Sequence, residues 1–268
     1  MHTLNKNAPI GFFDSGVGGL TVLKQVKQIL PNESFIFFGD TLHVPYGEKT
    51  KEELLSYSKN ILNFFEEKEV KAVVMACNTT SSVIYDDIKD KYKFKLFPLV
   101  QSCAKVFSEL KINTLGVFAT KATINSGAYE KEIFKYNPNI KVVGQYCPDW
   151  VRIVENNTSQ NPENIEIVKK DLEKMLENKP DKIVLGCTHY PYLLDILTKY
   201  APKELFIDPA ISFAQFIKND LQKCDLLSDN KEIFEEFFVS SSPEKFESAS
   251  KMFYDLPQKA KEYSFFKV

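Results

Sequence analysis

The chain has 268 residues, enough for one large or two modest domains, each with a core of its own. Its 44% apolar and 26% charged composition argues against wholesale disorder, and 34 basic against 36 acidic side chains, a net charge of -2 without a Lys/Arg block, argue against nucleic acid as a partner. No apolar run approaches the ~20 residues of a membrane helix. The N-terminus carries no apolar leader, and five widely spaced cysteines form no CxxC pair and no disulfide framework. A cytoplasmic protein with reduced thiols, and without a membrane partner, is expected.

In chain order, Ile10-Gly-Phe-Phe13 reads as a buried strand, Gly16-Val-Gly-Gly19 as a turn, and Leu20, Leu23, Val26 and Leu30 as the apolar stripe of a helix. Phe35–Phe38 is a second strand. Thr50 and Glu53 form a capping box for a helix through about Lys68, with Leu54, Ile61 and Phe65 on one face. Ala72–Ala76 is a third strand. The second half starts after Phe94-Lys-Leu-Phe97, with strands at Leu115–Phe118, Lys141–Val143 and Ile183–Leu185 and a helix over Ile165–Leu176. A helix over Ile211–Leu221 and a Phe-rich tail are expected to return to cover the first unit.

This alternation predicts an α/β fold of two similar doubly wound parallel-sheet domains facing each other, with the active site between them. The expected division is 1–99 plus 210–268 against 100–209. The halves also match internally: Ile10-Gly-Phe-Phe-Asp-Ser aligns with Leu115-Gly-Val-Phe-Ala-Thr, and Val73-Val-Met-Ala-Cys-Asn-Thr with Ile183-Val-Leu-Gly-Cys-Thr-His.

Cys77 and Cys187 therefore fall at the carboxyl ends of equivalent strands, where open α/β sheets place ligands. Backbone N–H groups and a helix dipole there are expected to lower the thiol pKa. Cys103, Cys147 and Cys224 read as buried apolar cysteines. Two opposed thiols suit removal of a proton from one face of a carbon and delivery to the other, which is racemisation or epimerisation. A metal site is not expected, since only three histidines exist and one is His2. The glycines after Asp14 permit a tight turn or close approach of backbone to an anion. Asp14, at the edge of a buried strand, and His189, two residues after Cys187, are candidate acid–base groups.

Phe12-Phe-Asp-Ser-Gly-Val-Gly-Gly-Leu20, Gly39-Asp-Thr with Val44-Pro-Tyr-Gly47, Ala76-Cys-Asn-Thr79, Ser126-Gly-Ala-Tyr129 and Leu185-Gly-Cys-Thr-His-Tyr-Pro191 together resemble glutamate racemase over about residues 9–215. The resemblance implies a cofactor-independent enzyme of two α/β domains, supplying D-glutamate for peptidoglycan. Cys77 is implied to act on D-glutamate and Cys187 on L-glutamate, assisted by Asp14 and His189, with Glu155 as a further acid. Asp14, Ser15, Tyr46, Gly47, Asn78, Thr79, Thr188 and His189 match substrate-contacting positions, and Thr80, Thr120 and Thr123 are additional hydroxyl candidates. The expected partners are L-glutamate, D-glutamate and a second copy of the chain in a homodimer. His43, Gln101-Ser-Cys and Asp208-Pro-Ala depart from the family pattern, in loops outside the thiol motifs.

Overall fold

The structure is a computed structural model and describes residues 4–265, so His2 and the last residues of the Phe-rich tail lie outside it. Short apolar runs bounded by turns form strands β1 (Ile10–Asp14), β2 (Phe35–Gly39), β3 (Ala72–Met75) and β4 (Lys95–Pro98). The second half contributes β5 (Thr114–Ala119), β6 (Lys141–Tyr146), β7 (Lys182–Gly186) and β8 (Phe206–Ile207). The tail adds β9 (Glu235–Val239) and β10 (Lys261–Glu262). One sheet runs β10-β9-β2-β1-β3-β4, the other β6-β5-β7-β8, and their strand pairs are parallel. Parallel neighbours require crossovers, and helices supply them.

The internal match is thus a match of topology. The order β2-β1-β3-β4 recurs as β6-β5-β7-β8. Each central strand carries a glycine at its aligned position, and each glycine lies under a helix side chain. A Cβ on Gly11 would lie 2.7 Å from the Phe65 ring, and one on Gly116 would lie 2.8 Å from Met175 Sδ. Those two residues belong to the crossover helices Lys51–Glu67 and Pro162–Leu176.

The Thr50–Glu53 capping box is present, with both reciprocal hydrogen bonds. Asp208 caps helix Pro209–Lys223, accepting from the Ala210 N–H, and that helix packs on Leu20–Ile29 and Leu99–Ser108. Alternation along the first sheet divides its faces. Phe12, Phe37 and Val74 join a core that continues into Val117, Phe118, Trp150 and Leu185 of the second unit, while Phe13, Phe38 and Met75 pack with Phe64 and Phe65 on the other side. The tail does more than cover the first unit, because β9 pairs with β2 and extends its sheet. Fully buried Lys71 donates to Glu33 Oε2 and to the carbonyls of Lys6 and Leu226, joining the lead-in to β3 with the segment after helix Pro209–Lys223.

Candidate active site

The residues following β1, β3, β5 and β7 line one cavity of about 510 Å³. Ser15, Tyr46, Gly47, Cys77, Asn78 and Thr79 reach it from the first unit, and Thr120, Glu155, Cys187, Thr188 and His189 from the second. Each thiol is nearly buried, Cys77 at 6% and Cys187 at 8% exposure.

Cys77 is the N-cap residue of helix Asn78–Ile88. The expectation that the helix terminus lowers its pKa is overturned. Burial, followed by the nearby Asp14 charge, pushes the Cys77 thiol up to about 12, outweighing the Thr80 and Thr79 backbone N–H groups. A dipole that acts in partly exposed settings does not compensate for losing water.

Asp14 is fully buried beneath the cavity wall, where its Oδ1 accepts from the Gly16 N–H at 3.2 Å and its Oδ2 has no partner among the described residues. Burial raises its pKa to about 6, although His189 and the backbone N–H groups of Gly16 and Gly19 oppose the rise. His189 Nδ1 lies 3.8 Å from Cys187 Sγ and its Nε2 lies 3.1 Å from Glu155 Oε1. Burial disfavours charge on this ring, yet its hydrogen bonds and charge interactions with Cys187 and Glu155 prevail, raising its pKa to about 10. Helix Trp150–Glu155 is anchored for this contact by Trp150, packed against Phe118 and Tyr190 with Nε1 donating to Asp171 at 2.7 Å.

The glycine loop serves protein packing. A Cβ on Gly18 would come within 2.3 Å of Thr188 Oγ1 and 2.8 Å of His189 Nδ1, and one on Gly19 within 2.5 Å of Asp14 Cβ. Gly47 similarly leaves room for Thr120, whose Cβ a new Cβ would approach to 2.8 Å. Gly18 and Gly47 let the two units close on each other, whereas Gly19 makes room for Asp14 and Ala76 within the first.

Of the candidate hydroxyls, Thr79 and Thr120 line the cavity and contact each other at 3.0 Å across the units. Thr123 lies behind them, 3.0 Å from Thr120 Oγ1, and Thr80 turns back to donate to the Cys77 carbonyl, so neither of these hydroxyls lines the cavity. Tyr46 presents its ring while its hydroxyl donates to Asp40 at 2.5 Å. His43 bonds Asp40 and stacks on Tyr57, away from the cavity. Of the three cysteines read as buried and apolar, Cys103 and Cys147 are core residues, Cys147 also bordering the cavity, whereas Cys224 is exposed with Lys95 Nζ 3.0 Å from its sulfur.

Sequence reasoning missed Lys121 and Arg152, cations on the cavity lining, and Tyr129, whose hydroxyl donates to Asn78 Oδ1 at 2.8 Å. The signal for Arg152 was available: it is the chain's one arginine, one helical turn before Glu155. Among the described residues, no group of three or more His, Cys, Asp or Glu is arranged to hold a metal ion, and no helix is long and apolar enough to cross a membrane.

The profile of the Asp/Glu/Hydantoin racemase family matches residues 18–217. Glutamate racemase of Thermoanaerobacter sp. (strain X514) is 42% identical over 246 residues, covering 91% of this chain and 92% of its own. The enzyme of Nostoc sp. (strain PCC 7120) is 38% identical, covering 90% and 82%. The crystal structure of glutamate racemase from Francisella tularensis in complex with D-glutamate superposes with a TM-score of 0.90 at 34% identity, covering 97% of this chain and 98% of that one. A cavity with a thiol from each of two repeated units thus coincides with similarity along nearly the whole chain, and the chain belongs to the Asp/Glu/hydantoin racemase family.

Proposed function

We propose that the chain is a cofactor-independent glutamate racemase interconverting L- and D-glutamate by proton transfer at Cα between two thiols. The observation that carries this reading is that Cys77 and Cys187, ending equivalent strands of the two repeats, line one cavity. The names of relatives 38–42% identical over nine-tenths of the chain support glutamate as substrate. Lys121, Arg152 and the hydroxyls of Thr79 and Thr120 supply groups suited to its two carboxylates.

In the L-to-D direction His189 takes the Cys187 proton, and the resulting thiolate removes the Cα proton of L-glutamate. The Cys77 thiol then delivers a proton to the opposite face, leaving Cys77 as thiolate and Cys187 as thiol. The reverse direction begins from that second state. Asp14, buried beside Cys77 with an unpartnered oxygen, is the acceptor that allows Cys77 to lose its proton before a D-glutamate turnover. Each turnover thus requires one thiolate and one thiol, and the pair exchanges roles between directions. On this reading the enzyme is a cytoplasmic homodimer, and its product supplies peptidoglycan synthesis.

The test is incubation of purified protein with L-glutamate in deuterated water, after dialysis against a chelator and a carbonyl reagent, followed by chiral chromatography with mass detection. Expected is D-glutamate carrying deuterium at Cα, with early recovered L-glutamate largely unlabelled. No D-glutamate, or activity that returns only with pyridoxal phosphate or a divalent ion, would sink the reading.

A further inference from the structure

Asn78, at the first position of helix Asn78–Ile88, lines the cavity while only 2% exposed. Its Oδ1 accepts from the Tyr129 hydroxyl at 2.8 Å, while its Nδ2 has no hydrogen-bond partner among the described residues. Tyr129 belongs to helix Ala128–Phe134 of the second unit, is 4% exposed, and closes the Ser126-Gly-Ala-Tyr129 motif, which the proton-transfer scheme leaves unused.

A side-chain amide has a donor end and an acceptor end, and half a turn about its last torsion exchanges them. A hydroxyl donor fixed at one end removes that freedom. Burial keeps the Tyr129 phenol protonated by pushing its pKa well above the ordinary value, so a donor persists there across neutral and moderately alkaline pH. A buried amide nitrogen without a partner is costly unless a ligand supplies an acceptor.

We propose that Tyr129 is a positioning residue: it holds the Asn78 amide with Nδ2 toward the cavity, where it donates to a carboxylate of the substrate. The proposal rests on the glutamate reading above and deepens it. Because Tyr129 comes from one unit and Asn78 from the other, the donor is set only when the units are closed together. Closure then contributes to substrate affinity without either residue touching the proton in flight.

The experiment compares steady-state kinetics in both directions for the wild type, Tyr129→Phe, Asn78→Asp, Asn78→Ala and the Tyr129→Phe/Asn78→Ala double variant, with circular dichroism to establish folding. Loss of the orienting bond in Tyr129→Phe is expected to raise KM about tenfold with kcat changed less than about threefold. Asn78→Asp keeps the shape but turns a carboxylate oxygen toward the substrate carboxylate, so KM rises further. In the Asn78→Ala background, Tyr129→Phe has no added effect. A lower KM in Asn78→Asp would mean that the acceptor end faces the ligand, and it overturns the proposal. An unchanged KM in Tyr129→Phe, or equal effects of that change in both backgrounds, also overturns it. If Tyr129→Phe does not fold, Asn78→Asp decides alone. Failure of the wild type to racemise glutamate refutes the parent reading, whereas an active wild type beside an unaffected Tyr129→Phe refutes this inference only.

Discussion

Cys77 and Cys187 end equivalent strands, yet one thiol has a carboxylate, Asp14, as its charged neighbour and the other an imidazole, His189. Serine at either position is too weak an acid to exchange protons with Cα, so Cys77→Ser and Cys187→Ser are each expected to lower kcat in both directions roughly 10²–10⁴-fold. Near-normal activity of either variant by chiral chromatography contradicts a paired-thiol reaction. Asp14 also links activity to stability. Its native pKa of about 6 lies above the ordinary 3.8, so the native state holds its proton more tightly than the unfolded chain does. The native state bears no such penalty below about pH 4, and it accumulates as pH rises through about 6, reaching about 3 kcal/mol. Asp14→Asn is therefore expected to raise the melting temperature at pH 8 but not at pH 4, while depressing racemisation. An equal shift by calorimetry at both pH values would count against this. His189 has the opposite sign: its raised pKa stabilises the native state fully below about 6.5, and the contribution fades as pH rises through about 10. The rate should accordingly fall on the acid side near pH 6 and again on the alkaline side near 10. The placement of both cysteines and Asp14 at strand ends was legible because strand ends can be read from apolar runs. The ionisation of Cys77 was not, because its burial depends on a unit encoded elsewhere in the chain.

The glycines separate two kinds of close packing between elements. Gly11 faces the Phe65 ring within the first unit, and Gly18 faces Thr188 and His189 of the second. Gly11→Ala is expected to cost about 1–3 kcal/mol of stability through overpacking while leaving kcat near normal in the folded fraction. Gly18→Ala should reverse that pattern, with kcat/KM falling about tenfold or more as its Cβ displaces the His189 loop, and a smaller change in the denaturation midpoint. Similar losses of activity and stability in both variants would remove the distinction. β1, β2, β3, β5, β6 and β7 were readable as β-branched and aromatic runs, and the helix after Thr50 from its cap. β9 and β10 were not: Glu235 is in register with Phe35, and no local pattern announces a pairing across two hundred residues. Helix rotation hid Thr80 in a similar way. It adjoins Thr79, but about 100° further around the helix axis its hydroxyl leaves the cavity.

Across the whole molecule, thiol accessibility forms a gradient. Cys224 is exposed, Cys77 and Cys187 open slightly into the cavity, and Cys103 is fully buried. Brief iodoacetamide treatment with peptide mapping should modify Cys224 first, Cys77 and Cys187 more slowly and less with glutamate present, and Cys103 only on unfolding. Labelling of Cys103 as fast as Cys187 would contradict its burial in the native state. The two sheets also differ in how much chain each must gather. The second closes within residues 114–207, whereas the first awaits β9 at Glu235–Val239 to cover the edge of β2. On a ribosome the second sheet can mature while β2 still presents an unpaired edge, the kind of surface that chaperones protect. Phe253 then packs its ring 5.8 Å from that of His189, so the imidazole beside Cys187 is enclosed by residues synthesised after both sheets' central strands. Acquisition of activity during synthesis should therefore be late and abrupt, because the cavity combines residues from both halves of the chain and is flanked by the tail.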